Sequence, residues 1–246
     1  MRIADTTILV TGSSRGIGAA VARRLVRGGA EVILHGRDTA RLDALSRELG
    51  MTAVALDLTE EASPELLAEK VVRVDAVVHC AGAGRWGDLC TTPAEDVDRL
   101  VQLNLVAPMR LTRALLPGML ESHAGHIAFV GSIAGLTGVP HECVYSAAKS
   151  GLLTFAQSLR LELAHTGIGV STVSPAAVHT DFWRARGADY ERRVPRLVEP
   201  DHVAKLVVRD IEHDRPARIV PRWIGLAPMV RSIAPNAYQR LAARFG

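Results

Sequence analysis

The sequence predicts an α/β fold in which a doubly wound, mainly parallel sheet of seven strands carries helices on both faces. Two observations lead to this prediction. Short apolar runs that end in small or polar residues alternate with longer segments of helical periodicity, as expected for parallel strands joined by crossover helices. In addition, the chain has 246 residues, of which 48% are hydrophobic, enough for one sizeable core but short for two full domains. We therefore expect one domain over residues 1–246.

Strands are predicted at residues 7–10, 31–35, 52–56, 74–79, 126–130, 169–173 and 219–220, the last at an edge of the sheet. Helices are predicted at 19–27, from Thr39 onward with Asp38 as N-cap, near 60–69, over 94–120, around Tyr145, and from Pro200 to Ile211 with Asp201 as a cap. In open parallel sheets, ligands bind outside the carboxyl ends of the strands. The residues that follow the strands are therefore the candidates for function.

A glycine-rich loop joins the first strand to the first helix. Gly12 allows a tight turn, Gly16 lets the backbone approach a ligand, and Gly18 permits close packing of helix on strand. Such a loop directs backbone N–H groups and a helix N-terminus at a phosphate. A plain turn is the alternative, but the position between a strand and a helix favours a phosphate loop.

The second strand ends at Gly36, Arg37 and Asp38, which predicts the cofactor preference. In a dinucleotide fold, a carboxylate at this strand end binds the ribose 2′-hydroxyl, whereas an arginine accommodates a 2′-phosphate. Arg37, together with Arg15 of the glycine loop, favours NADP(H) over NAD(H). At the end of the third strand, Asp57 could accept a hydrogen bond from the adenine amino group or cap the following helix.

Tyr145 and Lys149 are four residues apart in a helical pattern, so that they share one face of the helix. A free phenol has a pKa near ~10, and a neighbouring cation favours the phenolate. We therefore expect Lys149 to lower the pKa of Tyr145 and to make it a general acid for a developing alkoxide. The alternative is that Tyr145 packs and Lys149 is solvated. The glycine loop, Asp57, residues 80–82, Ser132 and Pro175 all follow strands, which supports the catalytic interpretation.

Together these segments resemble the classical short-chain dehydrogenase/reductase (SDR) family over residues 5–222. The motifs that carry the resemblance are residues 11–18 (TGSSRGIG), Asp57, residues 80–82 (CAG), Asn104, Ser132, residues 145–149 (YSAAK) and residues 175–180. The resemblance implies a Rossmann-type fold and an enzyme that acts on CH–OH groups with NAD(P) as acceptor. It also implies a cytoplasmic homodimer or homotetramer.

The resemblance implies a role for each catalytic residue. Tyr145 is the proton donor, and Ser132 hydrogen-bonds the substrate oxygen as a pre-organised donor. Lys149 holds the nicotinamide ribose and tunes Tyr145, while Asn104 keeps a water in a proton relay behind Lys149. The cofactor-binding set that it implies is Gly12, Ser14, Arg15, Gly16, Ile17, Gly18, Arg37, Asp57, Leu58, Cys80, Ala81, Gly82, Tyr145, Lys149, Pro175, Val178 and Thr180.

Two positions depart from the family pattern. Cys80 stands where the family usually has an asparagine that braces the central strands, and Ala176 stands where it usually has glycine. The first puts the local bracing in doubt, and the second restricts the backbone near the nicotinamide. Neither is one of the four catalytic positions.

Other functional classes find little support in the sequence. The histidines and the three cysteines show no metal-ligand spacing, and no metal is expected. The formal net charge is only +3, without a basic block that would indicate nucleic acid. No apolar stretch is long enough and free enough of glycine to predict a membrane span. A cytoplasmic, reducing compartment suits the cysteines.

Two segments lie beyond the catalytic motifs. Residues 181–200 contain Phe182, Trp183 and Tyr190 and are rich in arginine up to Arg196, which predicts either a lid with an aromatic wall for an apolar substrate or an ordinary surface helix pair. Residues 221–246 form a basic amphipathic extension. Its apolar stripe is Leu226, Met229, Val230, Ile233, Tyr238, Leu241 and Phe245, flanked by Arg222, Arg231, Arg240 and Arg244. It could rest on a membrane surface, but we favour an extension that covers its own or a partner subunit's core.

The sequence thus predicts an NADP(H)-dependent oxidoreductase that interconverts a carbonyl and a secondary alcohol. Its small-molecule substrate is expected to be a 3-oxoacyl, polyketide-type or other apolar ketone. The alternative is a non-catalytic NADP(H)-binding sensor on the same fold. An epimerase or dehydratase is disfavoured because the chain has no room for the larger C-terminal substrate domain of those relatives.

Overall fold

The computed structural model describes residues 1–191 and 194–245, without the side chains of residues 241 and 243–245. Its strands are β1 (Thr7–Thr11), β2 (Glu31–Gly36), β3 (Ala53–Ala55), β4 (Ala76–His79), β5 (Gly125–Val130), β6 (Ile168–Pro175) and β7 (Ala217–Val220). They form one sheet in the order β3-β2-β1-β4-β5-β6-β7, and every neighbouring pair is parallel. The predicted doubly wound α/β fold is confirmed. The order reverses between β1 and β4, where a crevice forms at the carboxyl edge.

The helices connect these strands in the predicted alternation. They are α1 (Gly16–Arg27), α2 (Thr39–Leu49), α3 (Ser63–Val71), α4 (Ala94–Val101), α5 (Ala107–Glu121), α6 (Ile133–Thr137), α7 (Cys143–Glu162), α8 (Phe182–Ala185), α9 (Pro200–Glu212), α10 (Leu226–Ile233) and α11 (Pro235–Phe245). No helix of the described residues is both long enough and apolar enough to cross a bilayer.

Two hydrophobic clusters lie on opposite faces of the sheet, because successive side chains of a strand alternate between its faces. Val10 of β1 packs in a cluster with α1, α2 and α9, whereas the adjacent Leu9 packs in a second cluster with α3, α5 and α7. Both side chains are fully buried. The sheet is therefore covered on both sides, as its continuous apolar strands predict.

The predicted helix over 94–120 is interrupted. Residues Gln102–Val106 form a π-helical segment, in which the N–H of Ala107 donates to the carbonyl of Gln102 five residues earlier. A wide turn of this kind is rare and is found mostly at functional sites. Hydrophobic periodicity did not reveal it, because one wide turn changes the phase of the pattern only locally.

Two predicted caps have different outcomes. Asp38 caps α2 as predicted, since its side chain accepts a hydrogen bond from the N–H of Arg41 at 3.1 Å. The predicted cap of α9 by Asp201 is wrong. The helix begins at Pro200 as predicted, but Glu199 occupies the N-cap position and makes no side-chain cap, while Asp201 lies inside the first turn. The carboxylate of Asp201 instead forms an ion pair with Arg24 of α1 and ties the two helices together.

The prediction that the C-terminal extension covers the chain's own core is wrong for α10, whose stripe residues Leu226, Met229 and Ile233 are exposed. That it covers a partner subunit's core stays a prediction. The side chains of Leu241, Arg244 and Phe245 lie outside the described set. α10 nevertheless contacts the short helix α6, and this contact brings the extension next to the carboxyl edge of the sheet.

Candidate active site

One large cavity, of about 1050 Å³, runs along the carboxyl edge of the sheet. The glycine loop, the ends of β2, β4, β5 and β6, the helix α7, the segment around α8 and the C-terminal extension all contribute to its wall. Every candidate cofactor residue lines it, as do Ser132, Tyr145 and Lys149. Asn104 lies behind Gly82, outside the lining. The topology therefore brings together segments that are far apart in sequence.

Ser132 and Tyr145 meet inside this cavity. Ser132 follows β5 and is the N-cap of α6, where its Oγ accepts a hydrogen bond from the N–H of Ala134 at 3.1 Å. The side chain of Ser132 also lies near the phenol of Tyr145 and acts to lower its pKa. Both residues are more than nine-tenths buried. Two hydroxyl groups thus point at the same place, which a substrate oxygen could occupy between them.

The structure corrects the predicted acidity of Tyr145. Burial raises the pKa of the Tyr145 phenol above its usual value and outweighs the effect of Ser132, which acts in the opposite direction. The Lys149 ammonium lies 5.9 Å from the centre of the tyrosine ring. The prediction that Lys149 holds this pKa down is therefore wrong for the chain by itself. At neutral pH the phenol keeps its proton.

Lys149 is engaged elsewhere. Its Nζ donates a hydrogen bond to the carbonyl of Val130 at 3.0 Å. Burial lowers the pKa of the Lys149 ammonium to about 8, because the charged form loses its hydration. The amine is still cationic at neutral pH, but its charge is available to whatever binds in the cavity.

Asn104 has an amide oxygen without a partner. Its Nδ2 donates to the carbonyls of Ala83, at 2.9 Å, and Leu100, at 3.0 Å. Its Oδ1 is buried and has no hydrogen-bond partner among the described residues. A Cβ added to Gly82 would lie 2.9 Å from this oxygen and 3.5 Å from the Nζ of Lys149. The orphan oxygen and the ammonium therefore flank the same small space, which suits a bridging water.

The glycine loop is packed too closely to accept side chains. Gly12 has φ of +67°, and a Cβ there would lie 2.7 Å from the Cα of Ala81. A Cβ on Gly18 would lie 2.3 Å from the carbonyl oxygen of Gly12. The loop thus presses against the end of β4, and the start of α1 opens directly onto the cavity. This arrangement fits a phosphate-bearing ligand at a helix N-terminus.

Arg37 and Asp57 form an ion pair at the β2–β3 end of the cavity, with 3.2 Å between Nη1 and Oδ2. Asp57 also accepts hydrogen bonds from the N–H and the hydroxyl of Thr59. Burial raises the pKa of Asp57, but the bonds from Thr59 and Arg37 outweigh it, so that the net pKa is lowered. The alternative that Asp57 caps the next helix is wrong, because α3 starts only at Ser63. The Arg37 side chain is 63% exposed.

Thr11 supplies the bracing that Cys80 lacks. Its Oγ1 accepts hydrogen bonds from the N–H groups of Cys80 and Ala81, both at 3.1 Å, and donates to the carbonyl of Val78 at 3.4 Å. These bonds tie the end of β1 to the end of β4. Burial raises the pKa of the Cys80 thiol to about 12, so that it stays neutral beside Lys149. The departure at this position leaves the site intact.

An aromatic cluster on the 181–200 segment covers one side of the cavity. Phe182 lies against Tyr145, with 5.6 Å between ring centres, and Trp183 lies against both Phe182 and Tyr190. The indole N–H of Trp183 donates to the carbonyl of Val178 at 2.8 Å. The rings therefore reach Tyr145. Arg192 and Arg193 fall outside the described residues.

Three further residues at this wall were missed by the sequence analysis. The guanidinium of Arg186 lies over the rings of Trp86 and Trp183, 4.6 and 4.5 Å from their centres, and forms a buried ion pair with Glu142. Trp86, Glu142 and Arg186 come from three distant parts of the chain, so that no local sequence pattern predicts their contact.

Comparisons with known proteins agree with this geometry. The family described as "short chain dehydrogenase" matches residues 6–191. The chain belongs to this family. A 3-oxoacyl-[acyl-carrier-protein] reductase of Vibrio harveyi is 34% identical to it, over 85% of this chain and 90% of the relative.

Two solved structures of dehydrogenases share the architecture. A short-chain dehydrogenase from Sphingobium yanoikuyae in complex with NADPH is 32% identical, with a TM-score of 0.82, and the match covers 94% of this chain and 95% of that one. A bulky-bulky ketone specific alcohol dehydrogenase from Comamonas testosteroni is 28% identical, with a TM-score of 0.79 and 94% of each chain covered. The chain is thus an SDR oxidoreductase with a Rossmann-type fold. Among its described residues, no group of three or more potential ligands could hold a metal ion.

Proposed function

We propose that this SDR is an NADP(H)-dependent oxidoreductase that interconverts a ketone and a secondary alcohol, with Tyr145 as its general acid and base. The observation that carries the proposal is the pair of neighbouring hydroxyls, Ser132 and Tyr145, in the cavity at the carboxyl edge of the sheet. In this arrangement a substrate oxygen accepts hydrogen bonds from both hydroxyls. Such pre-organised donors stabilise the negative charge that develops on the oxygen.

The protonation state of Tyr145 suits the reduction. Because burial raises the pKa of Tyr145, its proton is in place to be donated to the developing alkoxide. A nicotinamide dinucleotide supplies or accepts the hydride when it is bound. Lys149 provides a cation near the tyrosine ring. The unpartnered Oδ1 of Asn104 and the Nζ of Lys149 could together hold a water that returns the proton to Tyr145. In the direction of alcohol oxidation the same groups carry the proton away.

The residues at the cavity fit a dinucleotide. Gly12 leaves no room for a side chain between the loop and the end of β4, and Gly18 leaves none between α1 and the loop, so that backbone N–H groups can reach a phosphate. Gly82 keeps the space beside Lys149 open. At the far end, the mostly exposed guanidinium of Arg37 is available for a 2′-phosphate, and Gly36 offers no carboxylate for a 2′-hydroxyl. These features support NADP(H). Ser14, Arg15, Ile17, Leu58, Pro175, Val178 and Thr180 complete the proposed cofactor site.

The wall of the cavity supports an apolar ketone as the substrate. Phe182, Trp183 and Tyr190 present aromatic surface next to Tyr145, and apolar walls with few polar groups are typical of small-molecule sites. A 3-oxoacyl, polyketide-type or other bulky ketone would fit such a wall. The activities in the names of the Vibrio harveyi and Comamonas testosteroni relatives are of the same kind.

The decisive experiment is Tyr145→Phe in a screen of ketones, followed by the loss of NADPH absorbance. Removing the hydroxyl should lower kcat by about 10²–10⁴-fold while the Kd for NADPH changes little. Tyr238→Phe is the matched control, because Tyr238 also lines the cavity but lies outside the proposed catalytic set. Undiminished turnover by Tyr145→Phe would remove the tyrosine from the reaction. Tight NADPH binding without turnover of any ketone would favour the sensor alternative.

A further inference from the structure

The C-terminal extension turns an apolar surface toward solvent. Five side chains compose it, and the name outer apolar face is used for them below: Trp223, Leu226, Met229, Val230 and Ile233. The last four occupy positions i, i+3, i+4 and i+7 of α10 and therefore lie along one side of the helix. Their exposure is 62% for Leu226, 58% for Met229, 39% for Val230 and 75% for Ile233, and Trp223 is 53% exposed.

A different side of the extension attaches it to the rest of the molecule. Ala227 and Tyr238 line the cavity. The guanidinium of Arg231 donates to the carbonyl of Leu136 at 2.6 Å, and the hydroxyl of Tyr238 to that of Thr137 at 3.4 Å. These hydrogen bonds are made by residues outside the outer apolar face, whose side chains remain largely exposed in the folded chain.

The concentration of apolar residues is unusual for a free surface. Thirteen large apolar side chains are exposed among the described residues, and five of them fall within residues 223–233. Single exposed apolar residues need no explanation, but a contiguous patch marks a site of interaction with a protein or a membrane.

Charge distinguishes between the two kinds of partner. Residues 221–246 contain Arg222, Arg231, Arg240 and Arg244 and no aspartate or glutamate, whereas the rest of the chain carries the two signs in nearly equal numbers. In a two-fold dimer built on this face the two extensions would lie close together, and each carries a net positive charge. An anionic lipid surface offers complementary charge and an apolar interior. Trp223 is of the residue type enriched at the interface of such a surface.

We propose that the outer apolar face docks on the surface of an anionic bilayer, with α10 lying in the plane of the headgroups. Because Ala227 and Tyr238 of the same extension line the cavity, docking would hold one wall of the cavity near the lipid surface. The docking itself is separate from the proposed reaction, since binding to lipid is measured without turnover.

The test uses the full-length protein and its double variant Met229→Asp/Ile233→Asp. Both are sedimented with vesicles of phosphatidylglycerol and phosphatidylcholine, or of phosphatidylcholine alone. The wild-type protein should bind the anionic vesicles, bind phosphatidylcholine much less, and dissociate as salt screens the arginines. The double variant should bind more than about tenfold more weakly, because two apolar side chains no longer enter the lipid. Val72→Asp, at an 89% exposed residue outside the extension, is the matched control and should bind like wild type.

Trp223 provides an independent signal. Its emission should shift to the blue on anionic vesicles, and the shift should vanish in Trp223→Phe, whose remaining tryptophans are Trp86 and Trp183. No binding of the wild type to anionic vesicles at low salt overturns the proposal, as does undiminished binding of the double variant. The proposal also fails if the wild type does not bind vesicles and light scattering shows a stable oligomer for the wild type but a smaller species for the double variant. In that case the face is an interface with a second copy of the chain. Equal unfolding midpoints of all variants confirm that folding is not the cause.

Discussion

The guanidinium of Arg186 and the carboxylate of Glu142 form an ion pair in which each side chain is only 6% exposed. Arg186 follows α8 in the segment that covers the cavity, and Glu142 is the N-cap residue of α7, three positions before Tyr145. The guanidinium also lies over the rings of Trp86 and Trp183. The pair therefore fixes the covering segment to the helix that carries the proposed general acid.

Breaking this pair should destabilise the protein strongly. Glu142→Gln leaves the Arg186 cation buried without its counter-charge, and such a loss typically costs about 3–5 kcal/mol of the free energy of unfolding. The double variant Glu142→Leu/Arg186→Met should recover most of this loss, because no charge remains buried. Urea unfolding of the single and double variants measures the coupling. A cost below about 1 kcal/mol for Glu142→Gln, the range of exposed ion pairs, would show that the pair is solvated in solution.

Arg37 should control the choice between the two nicotinamide cofactors. Arg37→Gln removes a charge-assisted hydrogen bond to the 2′-phosphate, which is worth about 1.5–3 kcal/mol, so the Kd for NADPH should rise about 10–100-fold. The Kd for NADH should change little, since NADH has no phosphate there. Titration calorimetry with both cofactors gives the ratio. Arg41→Gln, on the neighbouring helix α2 and paired with Asp181, is the control and should leave the ratio unchanged. An unchanged ratio in Arg37→Gln would place the phosphate elsewhere.

Buried histidines should make the fold sensitive to acid. Burial lowers the pKa of His35 to about 4, of His126 to about 4 and of His79 to about 3. An unfolded histidine titrates near ~6.5, so between that pH and about 4 the unfolded chain takes up protons that the folded chain does not. The free energy of unfolding should therefore fall with decreasing pH by about 1.4 kcal/mol per pH unit for each histidine.

The contribution of one histidine can be isolated. His35→Gln should reduce the slope of the unfolding free energy against pH by about 1.4 kcal/mol per pH unit, the contribution of one proton. Urea unfolding at several pH values below neutrality measures this slope. His202→Gln, at an exposed position of α9, should leave the slope as it is. An identical slope for wild type and His35→Gln would mean that His35 is already accessible to protons in the native state.

Two glycines should respond to alanine in opposite directions. A Cβ on Gly18 would lie 2.3 Å from a carbonyl oxygen, whereas one on Gly118 of α5 meets nothing within 4 Å. Gly18→Ala should distort the loop, weaken NADPH binding and lower the stability. Gly118→Ala should raise the stability by about 0.5–1 kcal/mol through its higher helix propensity, and leave NADPH binding unchanged. Thermal unfolding and cofactor titration of both variants provide the comparison. A Gly18→Ala protein with wild-type NADPH affinity would contradict the proposed role of the loop.

Much of the fold could be predicted because its determinants are local. The apolar runs of β1 and β2, the cap Asp38 and the four-residue spacing of Tyr145 and Lys149 are all visible within short windows. Parallel strands share one carboxyl edge, so the topology then brings Ser132 and Tyr145 together. The short helix α6, which Ser132 caps, has too few residues to show a periodicity.

Properties that depend on environment could not be predicted in the same way. The spacing of Tyr145 and Lys149 gives their proximity, but it does not give the burial that raises the pKa of the phenol. The contact of Glu142 with Arg186 joins residues 44 positions apart. The exposure of the apolar side of α10 also depends on distant residues. Amphipathic periodicity shows that the helix has an apolar side, but it does not show whether that side faces the core or the solvent.

Because residues Gln102–Val106 are wound as a π-helix, the geometry of this site depends on the number of residues in that segment. Asn104 sits within those five residues, with the regular helices α4 and α5 fixing both ends. Loss of one of the other four residues there would let the backbone close to α-helical winding and turn the amide by as much as about 100° around the helix axis. The enzyme should thus tolerate many exchanges of side chain along this stretch while being intolerant of deletions.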